Sequence, residues 1–347
     1  MKVVVADSNL LPHRDILVDG CPPDTSWVFL DRFDLPEVLE ELADADVLVA
    51  STFTHEMADR APHLRLVHLA GAGTDGIDRQ ALGDRIVLAN TFHHGRSIAE
   101  YVAMAMVFLA RQIGSADAAL RGGTWSSPVY DPARSQPPTL RGATVGFVGF
   151  GTIGAETWHV LRGFDLEGVA IASRPRRGAE LDGLRWVGGP ERLGDLLEVA
   201  DHVVVSVPLT PETTGLLGPA ELNRMKRSAV VINVARGPVI DEDALFTALR
   251  TGTIAGAAID VWYSYPSQGS FAAPSRLAFG SLPNVLLTPH LSGVTAETFR
   301  RRAADICENV TNLATGAALS RVVAGDAENL PRLRDGAGPT TRPENAP

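Results

Sequence analysis

The sequence predicts an α/β protein built on two doubly wound parallel sheets. Three observations point there. The chain has 347 residues, and single hydrophobic cores stop growing near ~250–300 residues. Short Val- and Ile-rich runs alternate with helical patterns along most of its length. One of those runs enters a glycine-rich turn that opens directly into a helical pattern.

The runs before residue 95 are "VVVAD", "DVLVAS", "LRLVHLA" and "IVLAN". Those after it are "TVGFVG", "GVAIAS", "HVVVSV", "AVVIN", "AGAAIDV" and "NVLLTPH". Continuous apolar runs suit strands covered on both faces, and strands alternating with helices imply parallel pairing. The stretch "HHGRSIAEYVAMAMVFLARQIG" marks the boundary between the two sheets. Ser97 and Glu100 have capping-box spacing, which predicts a helix starting there, and Gly114 is the expected stop. Residues 114–140 carry several Pro, Ser and Thr residues and predict an irregular arm. A last helix is expected over about Thr295 to Leu313, with Phe299, Ala303, Ile306 and Val310 on one face.

Composition narrows the functional classes. Apolar residues make up 45% and charged residues 21%, ordinary for a globular protein, and the net charge of −10 argues against a nucleic-acid partner. No apolar run reaches the ~20 residues that span a bilayer, and the N-terminus lacks a signal-peptide layout. A cytoplasmic location and no membrane association are therefore expected. Cys21 and Cys307, the only cysteines, have no metal or redox spacing and read as free thiols; no metal site is expected.

In "TVGFVGFGTIG" the glycines are Gly149, Gly151 and Gly154. The first permits a tight turn, the second admits a pyrophosphate close to the backbone, and the third lets helix pack on strand. Thr152 and Ile153 lie where the helix N-terminus offers amides and positive dipole to phosphates. An NAD enzyme usually carries an acid about twenty residues on, for the ribose 2′-OH. Here "GVAIAS" ends at Ser173 and runs into Arg174, Pro175, Arg176 and Arg177. Ser and Arg suit a 2′-phosphate, which a carboxylate would repel. NADP(H) is therefore expected over NAD(H).

Several ordered blocks, "AGAGTDGID", "SIAEYV", "GFGTIG", "VPLTPETTG", "NVARGPVIDEDAL", "AAIDVW" and "TPHLSG", cover roughly residues 40–316. In them the chain resembles the D-isomer-specific 2-hydroxyacid dehydrogenases. The resemblance implies two Rossmann-like or flavodoxin-like domains with a cleft between them, and a homodimer. The expected boundaries are residues 1–95 plus 292–324 for a substrate-binding domain and 96–291 for a dinucleotide-binding domain. A polar tail over 325–347 is expected to be disordered.

Arg236 follows "AVVIN" and His290 follows "NVLLT", so both fall at carboxyl ends of parallel strands, where open α/β sheets bind ligands. A small 2-keto acid needs its carboxylate clamped and its carbonyl polarised, work suited to the planar guanidinium of Arg236. The resemblance makes His290 the acid that protonates the product alkoxide. It also makes Ala72 and Gly73 the backbone amides of a carboxylate-binding turn. Val207, Pro208, Thr210, Val234, His290 and Gly293 would border the cofactor, and Asp260 would hold the nicotinamide edge or the local backbone.

One segment departs from the family. A Glu usually lies five residues after the Asp of "DV" and pairs with the catalytic His, but "DVWYSYP" puts Tyr265 there. No carboxylate occurs between Val261 and Ala296, so realignment does not restore one. Tyr265 is the expected partner of His290, with Gln268 as the alternative. A phenol orients an imidazole without adding charge, and a histidine with an ordinary pKa near ~6.5 is only about a quarter charged at pH 7. Keto-acid reduction is then expected to decline above about pH 6.5–7. Two other functions stay open at this point: hydride abstraction from formate or another small oxyanion, since formate dehydrogenases resemble "DVW" and "TPHLSG", and a non-catalytic NAD(P)-sensing protein. His93, His94, Arg96 and Arg276 are candidates for a second anion site.

Overall fold

The computed structural model describes residues 1–173, 183–266 and 270–325. The chain divides into two compact units, Met1–His93 with Ala296–Pro347, and His94–Thr295. In chain order the first unit contributes β1 (Lys2–Val5), β2 (Ser26–Phe29), β3 (Val47–Val49), β4 (Leu66–His68) and β5 (Val87–Ala89). The second contributes β6 (Thr144–Val148), β7 (Glu167–Ile171), β8 (Leu184–Gly188), β9 (His202–Val205), β10 (Val230–Asn233), β11 (Gly256–Ile259) and β12 (Val285–Leu287). The first unit is completed by β13 (Val322–Ala324).

The first sheet has the order β13-β5-β4-β3-β1-β2, parallel except for β13. Without β13 this is the flavodoxin-like order. The second sheet, β12-β11-β10-β9-β6-β7-β8, is parallel throughout. Its order reverses between β6 and β9, as in a Rossmann sheet.

Burial explains why the strands read as unbroken apolar runs. Side chains along a strand alternate between faces, and here both faces are covered. Val3 and Val5 pack with Phe299, Ala303, Ile306 and Val310 of the helix Ala296–Thr315, while Val4 between them packs on the opposite face with Val38 and Met57. In the second unit Phe147 packs with Val102 and Trp158, whereas Val148 faces Leu196 and Leu217. No helix among the described residues is long and apolar enough to cross a membrane.

The boundary helix differs from expectation at both ends. It runs Gly95–Ala110, so Ser97 is inside it and not its cap; the Ser97 hydroxyl donates to the carbonyl of His94 at 3.0 Å. Glu100 accepts from Arg96 Nε at 2.8 Å instead of closing a capping box. The stop comes at Arg111 and Gln112, the latter left-handed at φ 52°, and Gly114 lies within a second helix, Ile113–Arg121. That helix occupies the first part of the segment expected to be irregular. The tail from residue 326 onward lies outside the described residues.

Candidate active site

The second sheet delivers its functional residues through parallel strands, so every strand end that follows the chain direction faces the same edge. β6 enters the glycine turn, β9 enters Ser206–Thr210, and β10, β11 and β12 lead to Arg236, Asp260 and His290. The last three strands are direct neighbours.

At the glycine turn, Gly149 has φ +97°, and a Cβ there would lie 2.8 Å from Val207 Cγ1 and 3.0 Å from the Ser206 carbonyl carbon. A Cβ on Gly154 would lie 2.8 Å from the Gly149 carbonyl oxygen, so the helix Thr152–Leu161 sits hard against the turn. Gly151 caps that helix, and a Cβ built on it meets nothing within 4 Å. Two glycines are thus demanded by protein contacts and the third faces open space beside the first amides of the helix. A dinucleotide pyrophosphate fits that cradle. Thr152 is exposed and Ile153 half-buried. Ser173 is exposed just past β7, and Arg174, Arg176 and Arg177 lie outside the described residues.

Val207 is half-buried against Gly149; Pro208 and Thr210 belong to a loop that bonds to itself, Thr213 Oγ1 donating to the Pro208 carbonyl at 2.6 Å and accepting from the Thr210 amide at 2.8 Å. Past β10, buried Asn233 shapes the turn that carries Arg236. Its Oδ1 accepts from the Ala235 amide at 3.1 Å and its Nδ2 donates to the Arg236 carbonyl at 3.1 Å. Val234 is buried beside it. A Cβ on Gly237 would lie 2.3 Å from the Trp262 carbonyl oxygen, so this turn packs directly on the segment after β11.

Asp260 is 0% exposed and accepts three bonds from the segment around His290. Thr288 Oγ1 donates at 2.6 Å, the Leu291 amide at 2.9 Å and the Ser292 amide at 3.0 Å. Of the two roles expected for Asp260, these bonds serve the local backbone. Tyr101 extends the brace: Thr288 gives its only hydroxyl proton to the carboxylate, so Tyr101 Oη donates to Thr288 Oγ1 at 2.7 Å. Burial pushes the Tyr101 phenol up to about 12, which keeps it a donor. Trp262 Nε1 donates to the Thr288 carbonyl at 2.8 Å.

His290 has φ +57°, a left-handed conformation that costs a non-glycine residue roughly 1–2 kcal/mol. The bonds to Asp260 from the two amides after it hold it there. Tyr265 Oη lies 3.1 Å from His290 Nδ1 and accepts from the Trp262 amide at 3.0 Å. Gln268 lies outside the described residues. Gly293 packs on the start of the boundary helix, where a Cβ would come 3.3 Å from His94 Cβ.

In the first unit, Ala72 is half-buried and Gly73 exposed in the turn after β4, with Asn90 Nδ2 donating to the Ala72 carbonyl at 3.1 Å. Three of the side chains considered for a second anion site already face carboxylates: His93 faces Asp305, Arg96 faces Glu100, and Arg276 faces Glu242 and Asp243. A cavity of about 710 Å³ opens in the second unit, lined by Phe108, Arg134, Leu140, His202 and Asn284 among others. It lies at the amino edge of the sheet, opposite Gly149 and His290, and is set apart from this chemistry.

The described residues include no cluster of His, Cys, Asp or Glu fit for a metal. Residues 103–292 match the model of the D-isomer specific 2-hydroxyacid dehydrogenase NAD binding domain. This chain belongs to the D-isomer-specific 2-hydroxyacid dehydrogenases. It is 33% identical over 288 residues to a glyoxylate reductase of Thermofilum pendens, covering 81% of each chain. It is 31% identical over 306 residues to a D-3-phosphoglycerate dehydrogenase of Methanocaldococcus jannaschii, covering 86% of this chain and 55% of that one. The chain thus spans about half the length of that dehydrogenase. Among solved structures, an NADPH-dependent glyoxylate/hydroxypyruvate reductase from Sinorhizobium meliloti, in complex with NADP and malonate, superposes with a TM-score of 0.76 at 27% identity. That match covers 96% of this chain and 98% of the other. In this chain Asn233, Thr288 and Tyr101 brace the turns that carry Arg236 and His290, and sequence reasoning missed them. All three fall in blocks the sequence singled out, Asn233 in "NVARGPVIDEDAL", Thr288 in "TPHLSG" and Tyr101 in "SIAEYV", but only Asn233, a polar residue closing an apolar strand, signalled its own role.

Proposed function

We propose that this protein is a cytoplasmic NAD(P)H-dependent reductase that converts a small 2-keto acid to the D-2-hydroxy acid and runs the reverse reaction. The observation that carries the reading is the convergence of the glycine turn, Arg236 and His290 on one edge of one sheet. Gly149, Gly151, Thr152, Ile153 and Gly154 hold the pyrophosphate. Ser173, Arg174, Arg176 and Arg177 take a 2′-phosphate, giving NADP(H) its preference. Val207, Pro208, Thr210, Val234 and Gly293 border the rest of the coenzyme.

When bound, the reduced nicotinamide supplies the hydride. Arg236 binds the substrate carboxylate and polarises the keto oxygen with parallel N–H groups. Ala72 and Gly73 of the first unit offer backbone amides to the same class of anion. His290 delivers a proton from Nε2 to the developing alkoxide, and its Nδ1 faces Tyr265. A tyrosine hydroxyl both donates and accepts, so Tyr265 orients either neutral tautomer of the ring as well as the imidazolium. Asp260 acts on the backbone that carries His290.

A homodimer accompanies this reading. Met104, Ile113, Leu120, Trp125, Val129 and Tyr130, all more than 40% exposed, form an apolar series along the boundary helices and the arm. Exposed apolar residues grouped along one segment support a subunit interface there. Light scattering of the Leu120→Glu variant, expected as a monomer, checks it.

The deciding experiment is NADPH consumption against a panel of 2-keto acids, with formate plus NADP⁺ as control. Turnover with formate alone would replace the keto-acid reading by hydride abstraction, and coenzyme binding without turnover of any acid would leave a sensor.

A further inference from the structure

The two cysteines stand 286 positions apart in sequence, yet Cys21 Sγ and Cys307 Sγ are 2.9 Å apart in the first unit. A disulfide needs its sulfurs about 2.0 Å apart, so only a small movement separates the contact from a bond. Cys21 ends the helix Arg14–Gly20, and Cys307 lies midway along Ala296–Thr315. Gly20 makes the approach possible: a Cβ there would lie 2.8 Å from Cys307 Sγ. The thiols sit at the margin of the core, 8% and 7% exposed, where neighbours such as Leu17, Ile306 and Val310 are at 0%. Among the described residues no group of His, Cys, Asp or Glu is fit to hold a metal, so the pair is not explained by zinc.

We infer that Cys21 and Cys307 form a dithiol modification site that hydroperoxides oxidise to an intramolecular disulfide, tying the first helix of this unit to its last.

The division of labour follows from the contact. Hydrogen bonding from Cys21 holds the Cys307 thiol below its ordinary pKa, while the same contact raises Cys21. Cys307 is therefore the attacking thiolate and Cys21 the resolving thiol. The Cys307 thiolate attacks one peroxide oxygen and the O–O bond breaks. Cys307 becomes a sulfenic acid, and the departing hydroxide takes up a proton to become water. Cys21 then attacks the Cys307 sulfur, the S–O bond breaks, and a second water leaves with the Cys21 proton. Two thiols lose two electrons and two protons, and one hydrogen peroxide becomes two waters; an organic hydroperoxide would release its alcohol in place of the first water.

The test uses the full chain and hydrogen peroxide. The expected result is simultaneous loss of both thiols, a mass decrease of two hydrogens, a Cys21–Cys307 peptide in a non-reducing digest, and recovery of both thiols with dithiothreitol. Cys21→Ser should stop at a Cys307 sulfenic acid that dimedone captures. Persistence of both thiols, separate gain of oxygen at each sulfur, or a cross-link only between chains would overturn the inference.

Discussion

Tyr265 Oη lies 3.1 Å from His290 Nδ1 while accepting from the Trp262 amide at 3.0 Å. The phenol therefore occupies the position of an acid partner and keeps a proton of its own. Removing the hydroxyl in Tyr265→Phe leaves the Trp262 amide without this acceptor and loosens the ring. A loss of about 1 kcal/mol, roughly five-fold in turnover, is expected. Tyr265→Glu adds a charge that favours the imidazolium and should carry the upper limb of the pH–rate profile for reduction to higher pH by about one unit or more. A profile that does not move would remove Tyr265 from the proton path.

His290→Asn should fold and bind NADPH as the parent does, with turnover lower by at least ~100-fold. Arg236→Lys keeps the charge but not the planar pair of donors, and kcat/KM should fall by about 10²-fold. Steady-state kinetics beside coenzyme titrations separate the two; near-normal turnover in either variant would take that residue out of the mechanism.

Asp260 accepts from Thr288, Leu291 and Ser292 at once. Asp260→Asn exchanges one acceptor oxygen for an NH2 that faces a donor, leaving a buried amide unsatisfied at about 1–3 kcal/mol. Denaturant titration should register that loss and turnover should fall with it. Unchanged stability would mean that the brace does not bear on His290.

Two buried histidines set a pH window for stability. Burial pushes His68 and His202 down to about 4, so the folded chain keeps both neutral. Between about pH 6.5 and pH 4 the unfolded chain takes up protons at these positions that the folded chain refuses. Stability therefore falls as pH drops through that window, by on the order of 1 kcal/mol per pH unit for each histidine. Denaturation midpoints measured from pH 7 to 4 should show the slope, and His202→Asn should make it shallower.

Coenzyme choice is tested at Ser173. Ser173→Asp places a carboxylate where a 2′-phosphate would sit, and the ratio of NADPH to NADH affinity should fall by about tenfold or more. Tighter binding of NADH than NADPH by the parent chain would already end the NADP(H) reading.

The ten apolar runs were legible because parallel strands covered on both faces are apolar along most of their length, with Val, Ile and Leu common. β2, β8 and β13 escaped because they are edge strands whose apolar pattern is broken by exposed or half-buried positions, Arg185 and Val322 exposed and Trp27 half-buried. The motif residues were legible through their order along the chain. Their supports were not, since Thr288 and Tyr101 act by bonds to residues 28 and 187 positions away. The Cys21–Cys307 contact was hidden for the same reason. Ser97 misled because a local capping pattern competes with the neighbouring turn, where left-handed His93 redirects the chain two residues earlier.

The left-handed backbone of His290 narrows what can be learned from replacing it. Asparagine tolerates that conformation, so its effect on rate reports the missing imidazole. Alanine, and still more valine or threonine, would also push the peptide toward the ordinary right-handed basin, dragging the amides of Leu291 and Ser292 off their shared carboxylate. A mutational survey of this position would then mix chemistry with geometry, and a variant chosen for smallness alone would exaggerate the contribution of the ring.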